Sequence, residues 1–282
     1  MAHPTADIFR SAAAFNRNDS RRKGNVVSLG GEGEVVVAGD IHGHRRNLAR
    51  ILSHADLPAH PTRTLVVQEV IHTRLAAEGE PDRSIECLMR LARLKARHPQ
   101  QLLMVLGNHD VAEIAGSDIM KSGRSYAGAF REGVAGAFGE EHADEILQAV
   151  RDLLLSVPLA VRCGNGVWVS HTLPAPTRME MAGFDILERA YEKEDLHRGA
   201  PLYEWTWGRG LTEEHLDALA DRLEVSLFVL GHQHVEEGIR SLGPRGVTLA
   251  SDHEGGKILG IDLGKPLTSD AAVAAARPIA DL

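Results

Sequence analysis

An α/β fold with its functional site along the carboxyl ends of the strands is what this sequence predicts, and three observations carry that prediction. Short, strongly β-branched runs alternate with segments of helical period, the pattern of a sheet covered by helices. Four of those runs end in a residue able to bind a metal: VVVAGDIHG at 35–43, LLMVLGNHD at 102–110, GVWVSH at 166–171 and SLFVLGHQH at 226–234. In open α/β sheets the carboxyl edge is where sites assemble, whereas histidines used only for packing would show no such positional bias.

Each element follows from its local chemistry. The Val35-Val36-Val37 run is too short for a helix and reads as a buried strand, and the flanking Gly39 and Gly43 let the chain turn sharply behind it. Residues 26–29, the Gly-Gly-Glu-Gly turn and residues 34–38 read as a hairpin. Residues 44–54 are helical, with Leu48, Ile51 and Leu52 on one face; residues 84–97 and 141–155 repeat that period, the latter ended by Pro158. Residues 159–163 and 166–170 flank a Gly-Asn turn and form a second expected hairpin. After GHQH, residues 246–251 and 257–263 read as two closing strands. One domain over 25–264 is expected, preceded by an arm (1–24) with a solvated basic run and followed by an alanine-rich tail (265–282).

Composition bounds the function. The chain has 282 residues, 43% of them hydrophobic, enough for a sizeable core. A net charge of −8 and a pI near 6.0 argue against a nucleic-acid-binding surface, though not against nucleotide substrates. Cys87 and Cys163 alone make no disulfide framework, and Cys87 falls on the apolar face of a helical segment. Neither a secretory signal nor a run long enough to cross a bilayer is apparent, so a soluble, cytoplasmic protein with no membrane partner is expected. Oligomeric state is left open.

Asp40 and His42 lie two residues apart, so on extended chain they point the same way and can share one cation. With GNHD, the lone His171 and GHQH, this order resembles the calcineurin-like metallophosphoesterase superfamily, whose motifs run GD-x-H, GD, GNH-D/E, His and GH-x-H. Four of the five are intact, and the second reads Gln68-Glu69. Asp82-Arg83-Ser84, a helix, Lys95 and His98-Pro99 before GNHD are similar to the phosphoprotein phosphatase branch, and the diadenosine tetraphosphatases of that branch also carry GNHD. The resemblance implies a metallophosphoesterase-type two-sheet β-sandwich flanked by helices. It also implies two divalent or trivalent ions, manganese first, with iron or zinc as alternatives. One ion would take Asp40, His42 and His234, the other Asn108, His171 and His232, with Glu69 bridging. His109 would be the general acid, oriented by Asp110.

Two departures accompany the resemblance. Glu69 stands where the family has Asp, which moves the carboxylate by about one C–C bond. The family's phosphate-clamping arginine is missing at its usual offset, which leaves Arg74, Arg83 (after an apparent insertion) and Arg209 as candidates for a bidentate fork. His72 stands where an outer aspartate is expected. Asp252 and His253 are candidates to line the site, and Trp205 and Trp207 to stack on a substrate or simply to fill the core. The reading that follows is a binuclear phosphomonoesterase resembling protein serine/threonine phosphatases, acting on a phosphoprotein, a small phosphoester or a nucleotide. The alternatives are a diadenosine-tetraphosphatase-like hydrolase and a metal-binding pseudophosphatase.

Overall fold

The computed structural model describes residues 3–74, 82–121 and 123–282. In chain order its strands are β1 (Arg22–Lys23), β2 (Val26–Ser28), β3 (Glu34–Asp40), β4 (Arg63–Gln68), β5 (Leu102–Val105), β6 (Met120–Lys121), β7 (Arg124–Ser125), β8 (Ala160–Arg162), β9 (Val167–Ser170), β10 (Leu227–Leu230), β11 (Ile239–Ser241), β12 (Gly246–Leu249), β13 (Lys257–Asp262) and β14 (Arg277–Pro278). The helices are α1 (Pro4–Arg17), α2 (Arg45–Ala55), α3 (Ser84–Arg97), α4 (Asn108–Ala115), α5 (Tyr126–Phe138), α6 (Glu140–Leu154), α7 (Met179–Ala182), α8 (Pro201–Trp207), α9 (Glu213–Leu223) and α10 (Ser269–Ala275).

One sheet runs β1-β2-β8-β9-β10-β12-β11 and the other β14-β13-β3-β4-β5, with β6-β7 a separate ribbon. Strand alternation explains why they stack. Val35, Val37, Val66, Leu103 and Val105 of the five-stranded sheet share one buried cluster with Val167, Val169, Leu227 and Val229 of the other. The intervening residues Val36, Leu65, Val67, Met104, Trp168 and Phe228 pack into a second cluster with the helices. Strands buried on both faces must be apolar throughout, hence the unbroken valine runs. The two sheets meet where Asp40 bridges to Ala250, and a Cβ on Gly39 would fall 2.1 Å from the Leu249 carbonyl, so only glycine lets β3 approach β12.

One local expectation gives way to longer-range pairing. Strands β2 and β3 do not form a hairpin: β2 pairs with β8, while β3 lies between β4 and β13. Strands β12 and β13 form where the two closing strands are expected, and they lie in different sheets. The expected β8–β9 hairpin does form. Helix α1 packs against α3 and α6, with Phe9, Ala12 and Ala13 fully buried. At the other end, β14 pairs with β13 and Ile279 is buried.

Candidate active site

The five segments that leave β3, β4, β5, β9 and β10 converge at one corner. The parallel trio β3-β4-β5 carries Asp40 at its end and Glu69 and Asn108 just beyond; the parallel pair β9-β10 carries His171 and His232 just beyond. All five side chains are buried, as is His42. The backbone there is unusual. Among the described residues six non-glycines have positive φ: four are His42, Glu69, His72 and His232, and the other two, Asp56 and Glu224, are helix C-caps. Left-handed geometry for such residues is costly, and its clustering marks a functional site.

Three lone-pair atoms crowd one side. His171 Nε2 lies 2.9 Å from Asn108 Oδ1 and 3.0 Å from His232 Nδ1, and His232 Nδ1 lies 2.8 Å from Asn108 Oδ1. Ligand atoms about 2.1 Å from one ion and at right angles to each other are about 3.0 Å apart, so this spacing fits a shared cation. His232 Nε2 is buried without a hydrogen-bond partner among the described residues. On the other side, His42 Nδ1 lies 3.0 Å from the His72 carbonyl. A proton on Nδ1 makes that bond and leaves Nε2 as a lone pair, the usual way a ligand imidazole is fixed. Glu69 Oε2 stands between the groups, 3.4 Å from His42 Nε2 and 3.4 Å from His171 Nε2. Glu69 Oε1 accepts the His109 N–H at 2.7 Å, at the N-terminus of α4. Asp40 Oδ1 accepts the His232 N–H at 3.1 Å and lies 3.4 Å from His171 Nδ1.

The electrostatics describe a cluster short of positive charge. Burial, with Asp40 and Asp110 nearby, pushes the Glu69 carboxyl up to about 8. Burial opposes a proton on His171, but Glu69 and Asp40 outweigh it and push the imidazole up to about 9. Burial would raise Asp40 too, yet His171 and His42 hold it well below the usual carboxylate range. Burial lowers His42, His109 and His232. The cluster therefore holds protons where cations would serve, and its O/N donor set fits divalent metal ions.

A pH signature follows for metal-stripped protein. Above pH 6.5, the ordinary value for histidine, an unfolded chain has released the Glu69 and His171 protons, whereas the folded chain keeps them to about 8 and about 9. The folded state then binds more protons, so stability falls as pH rises through this window. Below it, the lowered histidines act in the opposite sense. Thermal unfolding of stripped protein should show a lower midpoint at pH 8 than at pH 6.5, and manganese should flatten that slope. Equal slopes with and without metal would contradict the charge balance described.

Glycines complete the floor. A Cβ on Gly107 would lie 2.4 Å from Glu69 Oε1, and one on Gly231 would lie 2.4 Å from Asp40 Oδ1 and 2.9 Å from Gln68 Oε1. Gly231 thus makes room for Gln68, whose buried amide has no hydrogen bond among the described residues. Gly107→Ala should displace Glu69 and lower metal affinity about 10–100-fold, measured by titration with manganese.

The remaining sequence candidates fall at the rim or elsewhere. His234 is exposed and clusters with Asp252 and His253 rather than with Asp40 and His42. Arg74 pairs with Asp252 and lies 3.1 Å from His234 Nδ1. His253 accepts from Gly255 N–H through Nδ1 and donates from Nε2 to the Val235 carbonyl at 3.0 Å, so both ring nitrogens are engaged. Arg209 is exposed and its charge bears on His232. Arg83 pairs on the surface with Glu86 at 2.7 Å. The apparent insertion before it, 75–81, lies outside the described residues, but Asp82 accepts from Thr73 Oγ1 at 2.8 Å and ties α3 back to the Glu69 segment. Asp110 Oδ2 accepts the Gly107 N–H at 2.9 Å and so caps α4. The group on the His109 ring is instead His72, whose Nδ1 is 3.0 Å from His109 Nδ1. Trp205 is buried, its Nε1 donating to the Gly183 carbonyl, and Trp207 stacks on Tyr203. Two buried neighbours escaped the sequence reading. Tyr126 packs edge-on to His109, 5.0 Å between centroids, and Glu113 lies one turn along α4 from His109.

Two sheets, helices on their outer faces, and a buried His/Asp/Asn/Glu cluster at the strand ends define a phosphoesterase fold. The chain belongs to the calcineurin-like phosphoesterase family, which matches residues 33–236. A serine/threonine-protein phosphatase of Caenorhabditis elegans is 24% identical over 247 residues, which is 83% of this chain but 50% of that protein, so the chain spans about half its relative's length. Among solved structures, a Saccharomyces cerevisiae protein serine/threonine phosphatase with similarity to human PP5 superposes with a TM-score of 0.66 at 16% identity, covering 92% of this chain and 82% of that one. A cold-active protein-tyrosine phosphatase of a psychrophilic Shewanella gives 0.61 at 14% identity, covering 91% and 84%.

Proposed function

We propose that this protein is a binuclear metal-dependent phosphomonoesterase of the protein serine/threonine phosphatase type, with residues 25–264 as the catalytic unit. The observation that carries the reading is Glu69 Oε2 standing 3.4 Å from a histidine nitrogen on either side, where one carboxylate can serve two ions. Asp40 and His42 would hold one ion and Asn108, His171 and His232 the other, with His234 at the rim beside Asp252. Such a metal pair would supply an activated water and offset charge on the phosphoryl oxygens. Manganese is the ion we favour, with iron or zinc as alternatives.

The chain's own residues do the rest. Glu69 is anchored by the His109 N–H, so its second oxygen is free to face both donor sets. His109, fixed through Nδ1, would in its doubly protonated form pass the Nε2 proton to the departing oxygen and keep the Nδ1 proton in its hydrogen bond to His72. Arg74 and Arg209 are the two arginines we assign to the phosphate, because the charge of each bears on a histidine of the cluster, Arg74 on His42 and Arg209 on His232. A cytoplasmic setting agrees with two buried free cysteines, whose thiols burial pushes up to about 12, and among the described residues no helix is long and apolar enough to cross a membrane.

The test is elemental analysis of protein purified without chelator, followed by turnover of a phosphoserine peptide, p-nitrophenyl phosphate and a dinucleoside polyphosphate. Two ions per chain and preference for the phosphopeptide are expected. Preference for the dinucleotide would favour the nucleotide hydrolase, and metal with no turnover a pseudophosphatase. No metal, even after manganese is added, would sink the reading.

A further inference from the structure

The short Nδ1–Nδ1 contact between His72 and His109 poses a question of direction, because only one hydrogen can lie between the two nitrogens. The answer comes from the far side of His72. That ring is fully buried, and its Nε2 has no hydrogen-bond partner among the described residues. The group facing it is Glu113 Oε2 at 3.6 Å, an ion-pair distance slightly longer than a hydrogen bond. Arg151 braces the same carboxylate, with Nη2 3.0 Å and Nε 3.1 Å from Oε1. In a buried pocket a nitrogen lone pair set against a carboxylate is repelled, whereas an N–H is attracted. A single proton on His72 therefore sits on Nε2, which leaves Nδ1 as an acceptor. His109 must then donate through Nδ1. The rings of Tyr126, stacked at 5.9 Å, and Phe130, edge-on at 5.5 Å, hold the His72 plane in place.

We infer that Glu113 is a positioning residue that sets the His109 tautomer through His72, so that a carboxylate one imidazole removed does the work of one in direct contact. The inference rests on the general-acid role assigned to His109 above. By holding the His72 proton on Nε2, Glu113 keeps Nδ1 of His109 occupied as a donor. In the imidazolium form of His109 the second proton then lies on Nε2, and this is the proton that passes to the leaving oxygen, while the Nδ1 proton stays in its hydrogen bond to His72. The spacing of His109 and Glu113, four residues apart on α4, places both on one helix face.

The test reads both tautomer and turnover. In long-range proton–nitrogen spectra of the metal-loaded wild-type protein, His72 should be protonated on Nε2 and His109 on Nδ1. Spectra showing His72 protonated on Nδ1 overturn the inference, whatever the activity. Glu113→Gln presents an amide that can turn its NH2 toward His72, so both assignments should change. Its kcat on phosphoserine peptide should fall about 10–100-fold, with KM, metal content and turnover of p-nitrophenyl phosphate nearly unchanged. Adding His72→Asp to Glu113→Gln gives His109 a direct carboxylate partner and should restore kcat. An unchanged spectrum in Glu113→Gln, equal losses on both substrates, or no rescue in the double variant would each overturn the role. If wild-type protein hydrolyses no phosphoester, the hydrolase reading fails while the spectra still decide the tautomers.

Discussion

Glu69→Gln is expected to abolish metal-dependent turnover and to lower bound metal below two ions per chain. The amide keeps the shape of the side chain and can still accept the His109 N–H, but it removes the negative charge that two cations would share. The buried cluster then offers one carboxylate, Asp40, with Asp110 committed to capping α4. A loss of about 10³-fold or more in kcat/KM is expected, the scale seen when preorganised charge stabilisation is removed. Glu69→Asp should keep metal but bind it less tightly, because Gly107 and the α4 N-terminus are spaced for the longer arm. Full activity and metal content in Glu69→Gln would mean that another carboxylate bridges.

The second large effect concerns His109. His109→Asn should leave metal content nearly unchanged, since the backbone N–H that holds Glu69 is retained. General acid catalysis is typically worth about 10²–10⁴, and it matters most where the leaving oxygen is basic. The kcat on phosphoserine should therefore fall by that range, while p-nitrophenyl phosphate, with an acidic leaving group, should lose far less. Equal losses on the two substrates would make His109 a stabiliser of phosphoryl charge instead, and loss of both ions would make it part of the metal site.

Strand positions and the turn residues were legible because both depend on local chemistry: β-branched runs end at glycines that the close approaches require. Sheet membership was not. The segment 26–38 has the spacing of a hairpin, yet β3 takes as its neighbour β13, more than 200 residues later, and nothing local announces that pairing. The site shows the same division. Asp40, His42, Asn108, His171 and His232 carry recognisable spacing and come together. His234, equally conspicuous in GHQH, is turned to the rim with Asp252. Asp110 looked like the orienting group of His109 because it is adjacent in sequence, but on a helix adjacent residues do not face each other. The residue one turn on, Glu113, was the readable signal. Tyr126 reaches the site from α5 across the fold and left no trace in the pattern.

The left-handed turns at His42, Glu69, His72 and His232 also bear on how this protein folds and ages. Sparsely populated backbone geometry costs on the order of 1–3 kcal/mol at each such residue, and here four sit in one corner beside carboxylates that repel one another. The corner thus depends on the two-sheet core beneath it to stay closed. Any ion it takes up acts as a folding ligand as well as a reagent, because it binds only the arrangement the backbone resists. Loss of metal should accordingly register first as faster amide exchange in the segments after β3, β4 and β10, with the valine layers between the sheets still protected.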